Sequence, residues 1–184
     1  RQQSRQQLVG HGARVLASPA QVQRRRLTAH APRREPTPEL AADTAASPTI
    51  TPANHAFTAV FASLAADCGE YDRARAALSR LRGRLHAVPQ SSAWLATLFS
   101  TVEAAYSIGD AEIAREAAAL MAPYAELPVL GSLAVVCLGS PRRSLGLAAL
   151  TVGDLDAGIT LLEQAIADDE RLGNRPLAAL TAAD

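Results

Sequence analysis

The first glycine-rich stretch is where a nucleotide cofactor would be sought. It runs Gly10-His11-Gly12-Ala13-Arg14-Val15 and contains two of the three glycines of a dinucleotide-binding fingerprint. The third glycine is absent, and Leu8-Val9 is too short for the strand that precedes such a motif. We therefore expect no cofactor at this stretch.

Metal binding needs ligands that converge, and the histidines lack the required spacing. His11, His30, His55 and His86 are far apart, and no HExxH motif is present. We predict that each is a surface or capping residue and that the chain holds no metal.

The run Asp168-Asp169-Glu170 could be mistaken for a catalytic or metal-binding group of carboxylates. Consecutive residues of a helix point about 100° apart, so the three side chains should not converge on one ligand. The pattern favours a solvated helix face beside Arg171.

Nucleophilic catalysis also lacks a candidate. The chain has neither a Gly-x-Ser-x-Gly elbow nor an arrangement of Ser, His and acid. All 18 basic residues are Arg, which excludes a P-loop lysine, a Schiff-base lysine and a Ser/Lys dyad. We expect the chain to contain no catalytic, cofactor-binding or metal-binding residue.

One basic cluster, Arg24-Arg25-Arg26 with Arg33-Arg34, could contact phosphates. It has no interleaved aromatic residues and no recognition-helix pattern. The whole chain balances 18 basic residues against 18 acidic ones. We interpret the cluster as a solvated, flexible arm and do not expect a nucleic-acid partner.

Composition indicates the elements that must position any site. Only 4% of the 184 residues are aromatic, and roughly a fifth are Ala. Strand-rich folds need many β-branched and aromatic residues, so the chain should be all-α, with helices packed through small side chains.

The cellular setting is inferred from the cysteines and the apolar runs. Cys68 and Cys137 form no CxxC motif, and we predict two buried free thiols in a reducing compartment. The longest apolar stretch, 127–138, is shorter than the roughly 20 residues of a membrane span. The chain begins at Arg1 without an apolar signal region, so we expect a cytoplasmic fragment of a longer protein.

The chain divides near residue 52. Residues 1–54 carry eight Arg against three acids, a net charge of +5, and six prolines. We interpret residues 1–52 as a basic, Pro-rich flexible segment or a degraded repeat. Gln21 to His30 could be a helix, and Pro32 to Pro52 a linker. The ordered domain should be 53–184.

Apolar residues after His55 recur with the 3.6-residue period of helices. The predicted inward stripes are Phe57, Phe61, Leu64 and Cys68; Tyr71, Ala74, Leu78, Leu81 and Leu85; Leu95, Leu98, Val102 and Ala105; Ile113, Ala117, Leu120 and Tyr124; Leu145, Ala148 and Ala149; and Ile159, Leu162, Ala165 and Ile166.

Start and stop signals flank these stripes. Ser91 or Ser92, Ser140-Pro141, and Asp154 or Asp156 should begin helices, and Gly173-Asn174 should end one. Val129 to Leu138 fits a short helix, a strand or a buried loop equally well.

A recurrence links the predicted helix pairs. Gly69-Glu70, Gly109-Asp110 and Gly153-Asp154 are each followed, in the same register, by a small residue: Ala74, Ala114 and Gly158. Glycine turns the chain, the acid caps the next helix, and the small residue lets two helices cross closely. The intervals of about 40 and 44 residues are typical of helix-pair repeats.

Leu145-Gly146, Gly153-Asp154, Leu162 and Ala165 have the spacing of the tetratricopeptide consensus, although Gly158 replaces its usual Ala. Together with Cys137 to Ser140 and Glu170 to Pro176, they resemble the helical repeat region of large bacterial regulators. Those proteins couple an NTPase to such repeats and carry a LuxR-type helix-turn-helix or a class III nucleotide cyclase domain. The resemblance covers about 53–184.

The resemblance implies an antiparallel helix-pair array, a fragment of a right-handed α-solenoid. It implies an interaction, scaffold or sensor module whose partner is a protein segment or a neighbouring domain of the parent chain. Alternatively, the chain is a non-catalytic portion of an ATPase or cyclase. The oligomeric state is left open.

Two structural expectations remain. Trp94, Tyr106 and Tyr124 should be mostly core residues, and any that is partly exposed would be a contact anchor. Arg175-Pro176 should begin a helix that stops at Asp184, leaving the array incomplete at its C-terminal end.

The absence of lysine generates a first prediction. The isolated chain should neither bind nor hydrolyse ATP, because it cannot build the standard P-loop. Isothermal titration with Mg-ATP should give no binding heat, and a dissociation constant in the low micromolar range would contradict us.

Overall fold

The computed structural model describes residues 54–131 and 136–184. Its helices are α1 (His55–Asp67), α2 (Tyr71–Leu81), α3 (Trp94–Ile108), α4 (Ala111–Met121), α5 (Pro141–Val152), α6 (Leu155–Arg171) and α7 (Arg175–Thr181). Short 3-10 turns, Leu85–Ala87 and Ala122–Tyr124, follow α2 and α4. The predicted Gln21 to His30 helix, the linker, the glycine-rich stretch and the basic cluster lie outside the described residues.

The prediction of a mostly helical fold is confirmed, with one exception. The segment that the sequence left open contains β1 (Val129–Gly131) and β2 (Val136–Gly139), which pair antiparallel. Leu130 pairs with Cys137, and Gly131 pairs with Val136. Of the alternatives left open for Val129 to Leu138, the structure has the strand, in the form of a short hairpin.

The helices pack in a regular order. Helices α1, α3 and α5, the odd-numbered helices before α7, form a row, because α1 packs on α3 and α3 packs on α5. Each of α1, α3 and α5 also packs on the helix that follows it, and α7 packs on α6. Strand β1 lies against α3. The core therefore runs continuously from one helix pair to the next.

Left-handed glycines and acidic caps join the helices of two pairs. Gly109 and Gly153 adopt φ values of +73° and +90°, which an L side chain rarely adopts. Asp110 and Asp154 then accept hydrogen bonds from Ile113 N at 3.4 Å and Ala157 N at 3.2 Å. In the first pair Glu70 precedes α2 without a side-chain cap.

Other helix starts follow or depart from the sequence signals. Ser140 caps α5 by accepting from Arg142 N at 3.2 Å, with Pro141 in the first turn, as predicted. The predicted serine cap of α3 was wrong, because Ala93 is the cap residue and has no side-chain cap bond; Ser91 Oγ accepts instead from Ala93 N at 3.3 Å.

The inward faces of two helices differ from the predicted stripes. Helix α1 buries Thr58, Ala59, Ala62, Ala65 and Ala66, while Phe57 is 40% exposed. Ile159, expected inward on α6, is 54% exposed. Helix α1 therefore buries the face lined by its smaller residues, whereas α6 buries the predicted Leu162 and Ala165 together with Gly158 and Asp169.

Helices α5 and α6 cross closely at two glycines. A Cβ at Gly146 would lie 2.9 Å from Leu162 Cγ and 3.1 Å from the carbonyl oxygen of Gly158. A Cβ at Gly158 would lie 2.5 Å from Leu150 Cδ2. Neither position has room for a methyl group without movement.

This crossing generates a second prediction. Gly146→Ala should destabilise the fold by about 1–3 kcal/mol, because the new methyl group overpacks the crossing. The matched control is Thr160→Ala at an exposed site of α6, which should change stability by less than about 0.5 kcal/mol. Urea denaturation measures both. A stabilised Gly146→Ala variant, as helix propensity alone predicts, would contradict the close crossing.

Candidate functional site

Buried charge concentrates where α3, α5, α6 and the last residue meet. We term this group the ionic cluster; its members are Glu103, Glu126, Ser140, Arg142, Arg143, Asp168, Asp169 and Asp184. It contains the serine, arginine and carboxylate groups with which a polar site could act.

Arg143 is the centre of one half of the cluster. Its side chain is buried, and its guanidinium donates to the carboxylates of Glu103 on α3 and Asp184 after α7. The Nε and Nη2 atoms lie 2.8 and 2.7 Å from Asp184 Oδ2. Burial acts to lower the pKa of Arg143, but the two carboxylates outweigh it and raise that pKa. Arg143 therefore remains a cation inside the protein.

Ser140 is the centre of the other half. Its backbone N–H donates to Asp169 Oδ1 at 3.1 Å, and its hydroxyl donates to Asp168 Oδ2 at 2.8 Å. Arg142 bridges Asp168 to Glu126, and Arg171 donates to Asp168 from the same helix. The start of α5 is thus fastened to the last turns of α6.

This arrangement corrects the expectation of a solvated acidic face. Asp169 is fully buried, and Asp168 retains only 14% side-chain exposure. The two carboxylates do diverge on the helix, but Ser140 contacts both by using two different atoms. Only Glu170 is exposed.

The two neighbouring carboxyls have opposite pKa shifts. For Asp169 burial is the main influence, and it raises the pKa despite the hydrogen bond from Ser140 N. Among the described residues no group donates to Asp169 Oδ2, which is also buried. For Asp168 burial alone would raise the pKa, but hydrogen bonds from Arg142 and Ser140 outweigh it and lower the pKa.

The charged groups of the ionic cluster pair with one another and with the backbone. The carboxylates of Glu103, Asp168 and Asp184 neutralise arginines, and Asp169 caps a backbone N–H. Across the described parts of the chain, no three His, Cys, Asp or Glu residues are arranged to hold a metal ion. His55 is half-buried at the start of α1, and His86 is exposed.

Carboxylates also fasten α4 to the end of α2, which the sequence analysis missed. Glu116 accepts from Gly83 N at 2.7 Å and from Leu85 N at 3.0 Å. Arg82 pairs with Asp110 and Glu112 at the start of α4. These partners are 28 to 33 residues apart, so no pattern of neighbouring residues in the sequence predicts that they meet.

The cysteines are less buried than predicted. Cys137 is exposed on β2, and Cys68 is half-buried at the end of α1. The prediction of two buried thiols was therefore wrong. The neighbouring Val136 is exposed as well, so this end of β2 is open on both faces.

The residues named for the repeat occupy turns and helix contacts. Gly69, Gly109 and Gly153 have positive φ, while Ala74, Ala114, Gly146, Leu162 and Ala165 are buried. Leu145 is only partly buried on α5. These placements describe helix pairs without identifying a repeat family.

A partly exposed apolar stripe marks the row of odd-numbered helices. On α3, Leu95, Phe99 and Tyr106 are half-buried and lie within roughly 40° of one another around the helix. On α5, Leu145 and Val152 lie on a common face and are partly exposed. We term these five residues the apolar stripe.

Two further aromatic residues considered from the sequence, Trp94 and Tyr124, pack in or against the core. Trp94 is buried and meets Tyr124 edge to face, with ring centroids 5.1 Å apart. Of the three aromatic residues considered from the sequence as contact anchors, Tyr106 is the one on the apolar stripe.

Comparison of the chain with protein-family models, curated proteins and solved structures finds no match. In residues 54–131 and 136–184, no helix has the length and apolar character needed to span a bilayer. The functional argument therefore depends on the geometry of the described residues.

The first prediction from the ionic cluster concerns Arg143. Arg143→Gln should destabilise the fold by about 3–5 kcal/mol, because it leaves Glu103 and Asp184 buried without their cation. Arg171→Gln is the matched control: that arginine pairs with Asp168 but is 74% exposed, and its loss should change stability by less than about 1 kcal/mol. Equal Cm values in urea for the two variants would refute the assignment.

The second concerns the pH dependence contributed by Asp169. Its raised pKa means that the folded state favours the neutral acid, so its stabilising effect is full below the ordinary Asp pKa of about 3.9 and is lost as pH rises. Asp169→Asn should therefore gain stability relative to the wild type between pH 4 and neutrality. Urea titrations at several pH values give the free energy of unfolding of the variant minus that of the wild type. This quantity should increase as pH rises, and a constant or decreasing value would contradict the burial effect.

Proposed function

We propose that residues 54–184 form a tetratricopeptide-like helix-pair array that serves as a protein-interaction scaffold or sensor in a larger bacterial regulator. The observation that carries the proposal is the side-by-side row of α1, α3 and α5, each packed on the helix that follows it. Arrays of helix pairs bury a continuous core in this order and present one long surface to partners.

The apolar stripe is the proposed docking surface. It combines a tyrosine and a phenylalanine with aliphatic neighbours on two adjacent helices of the row. Aromatic side chains provide large contact areas with little loss of conformational entropy, and Tyr can also donate a hydrogen bond. The partner we propose is a protein segment or a neighbouring domain of the parent chain.

The proposed mechanism is a shift between states of the parent protein. A segment that binds the array more tightly in one state than in another favours that state by the difference in binding free energy. Such a module needs no catalytic group of its own. The buried charges support this role, because they fix how α5 sits against α3 and α6.

The cellular setting belongs to the same proposal. The resemblance of residues 137–176 to bacterial regulators supports a cytoplasmic signalling or transcriptional protein. The free thiol of Cys137 is consistent with a reducing compartment.

Peptide-display selection on the immobilised full chain tests the proposal. Enriched peptides should bind the wild type in solution and lose roughly tenfold in affinity against Tyr106→Ala, because that variant removes the proposed anchor. Tyr71→Ala is the matched control, since Tyr71 is partly buried at the start of α2 outside the row.

Circular dichroism and urea denaturation must first show that both variants fold. Two results would contradict the proposal: enriched peptides that bind Tyr106→Ala as tightly as the wild type, or a selection that enriches no peptide at all.

A further inference from the structure

Helix α1 is almost free of charge and has few polar side chains, Thr58 and Ser63 being the polar residues between its ends. Between His55 and Asp67 it carries no charged side chain, and the same holds for most of α3, in which Glu103 is the one charged residue. Helices of this kind are normally enclosed by protein on all sides. Helix α3 is covered from several sides, since α1, α2, α4, α5 and β1 pack on it, and the residues of its apolar stripe are partly exposed.

Helix α1, by contrast, is covered on one side, where α2 and α3 pack against it. Its small residues, Ala59, Ala62, Ala65 and Ala66, are fully buried where it packs on α2 and α3. Three of its larger residues lie on the opposite side, where Phe57 is 40% and Val60 is 39% exposed, while Phe61 packs against the core with Arg73 over its ring. We term Phe57, Val60 and Leu64 the outer face of α1; they are spaced three and four residues apart.

This face differs from the exposed apolar residues at the other end of the domain. Leu155 and Ile159 lie on α6 beside charged neighbours, Asp156 and Glu163. The outer face of α1 has no charged residue until Asp67. A helix that presents only apolar and small side chains to water requires a covering element.

The segment that precedes α1 is the element best placed to cover its outer face. Fifty-three residues precede Asn54, and Asn54 caps α1 by accepting from Phe57 N at 3.4 Å. The preceding segment therefore enters within one helical turn of the outer face. A tether this short gives the segment an effective concentration near the millimolar range, which an independent molecule rarely reaches.

Composition and charge agree with that choice. Residues 1–53 contain large aliphatic side chains, including Leu8, Val15, Leu16, Val22 and Leu27. They carry eight Arg and three acids, whereas residues 54–184 carry ten Arg and fifteen acids. Opposite net charges of +5 and −5 favour association of the two parts.

We propose that a stretch of residues 1–53 packs on the outer face of α1, formed by Phe57, Val60 and Leu64. This contact completes the enclosure of α1 from within the chain. It is independent of the apolar stripe on α3 and α5, so it can hold even if the proposed function fails.

Photo-crosslinking in the full chain tests the proposal. The probe is p-benzoylphenylalanine in place of Phe57, which keeps an aromatic ring at a partly exposed position. Irradiation should join position 57 to a residue within 1–53 of the same chain, identified by peptide mass spectrometry. A second variant carries the probe in place of Val60 and guards against misfolding at the first site.

The matched control places the same probe at Ile159, which is 54% exposed at the other end of the domain. Position 57 should yield roughly tenfold more crosslinked 1–53 peptide than position 159, since only the former has the tethered segment as its neighbour. A mixture of ¹⁵N-labelled and unlabelled chains distinguishes crosslinks within a chain from crosslinks between chains.

Each other outcome overturns the proposal. Mixed-isotope crosslinks would show that a second copy covers the outer face. Absence of any crosslink from both probe positions would show that the face contacts solvent. Equal yields of 1–53 peptide from positions 57 and 159 would show contact without a defined site.

Discussion

The buried guanidinium of Arg143 is the contact on which the arrangement of the later helices depends. It holds Glu103 of α3 and Asp184 after α7, two residues that lie 40 and 41 positions away along the chain. Enclosing an ion removes its hydration, so such a cluster contributes little net stability but strongly disfavours arrangements that leave a charge unpaired. In this protein the Arg143–Glu103 pair joins α5 to α3, the first helices of two successive helix pairs.

The remaining contacts serve two separate purposes. Small residues set how closely helices approach, as Gly146 and Gly158 do between α5 and α6. Polar bridges set how successive pairs are aligned, as Glu116 does by holding the backbone after α2. These contacts keep α1, α3 and α5 in a fixed relation, which the proposed scaffold role would require of a preorganised docking surface.

Local signals in the sequence predicted the helices well, and contacts between distant residues could not be predicted. Glycine with positive φ, acidic caps and Ser140-Pro141 act within a few residues, so most helix ends followed from the printed sequence. The inward face of α1 did not, because that helix has two apolar faces and its neighbours decide which is buried. Asp169 looked like a surface residue, because its burial depends on Ser140, 29 positions earlier.

A double-mutant cycle between Glu103 and Arg143 tests the central claim most directly. Glu103→Gln, Arg143→Gln and the double variant are compared with the wild type by urea denaturation at neutral pH. If this pair specifies the junction, its coupling free energy should exceed about 1.5 kcal/mol, and the double variant should be less destabilised than the two single effects summed. Additive effects, with a coupling free energy near zero, would contradict the account.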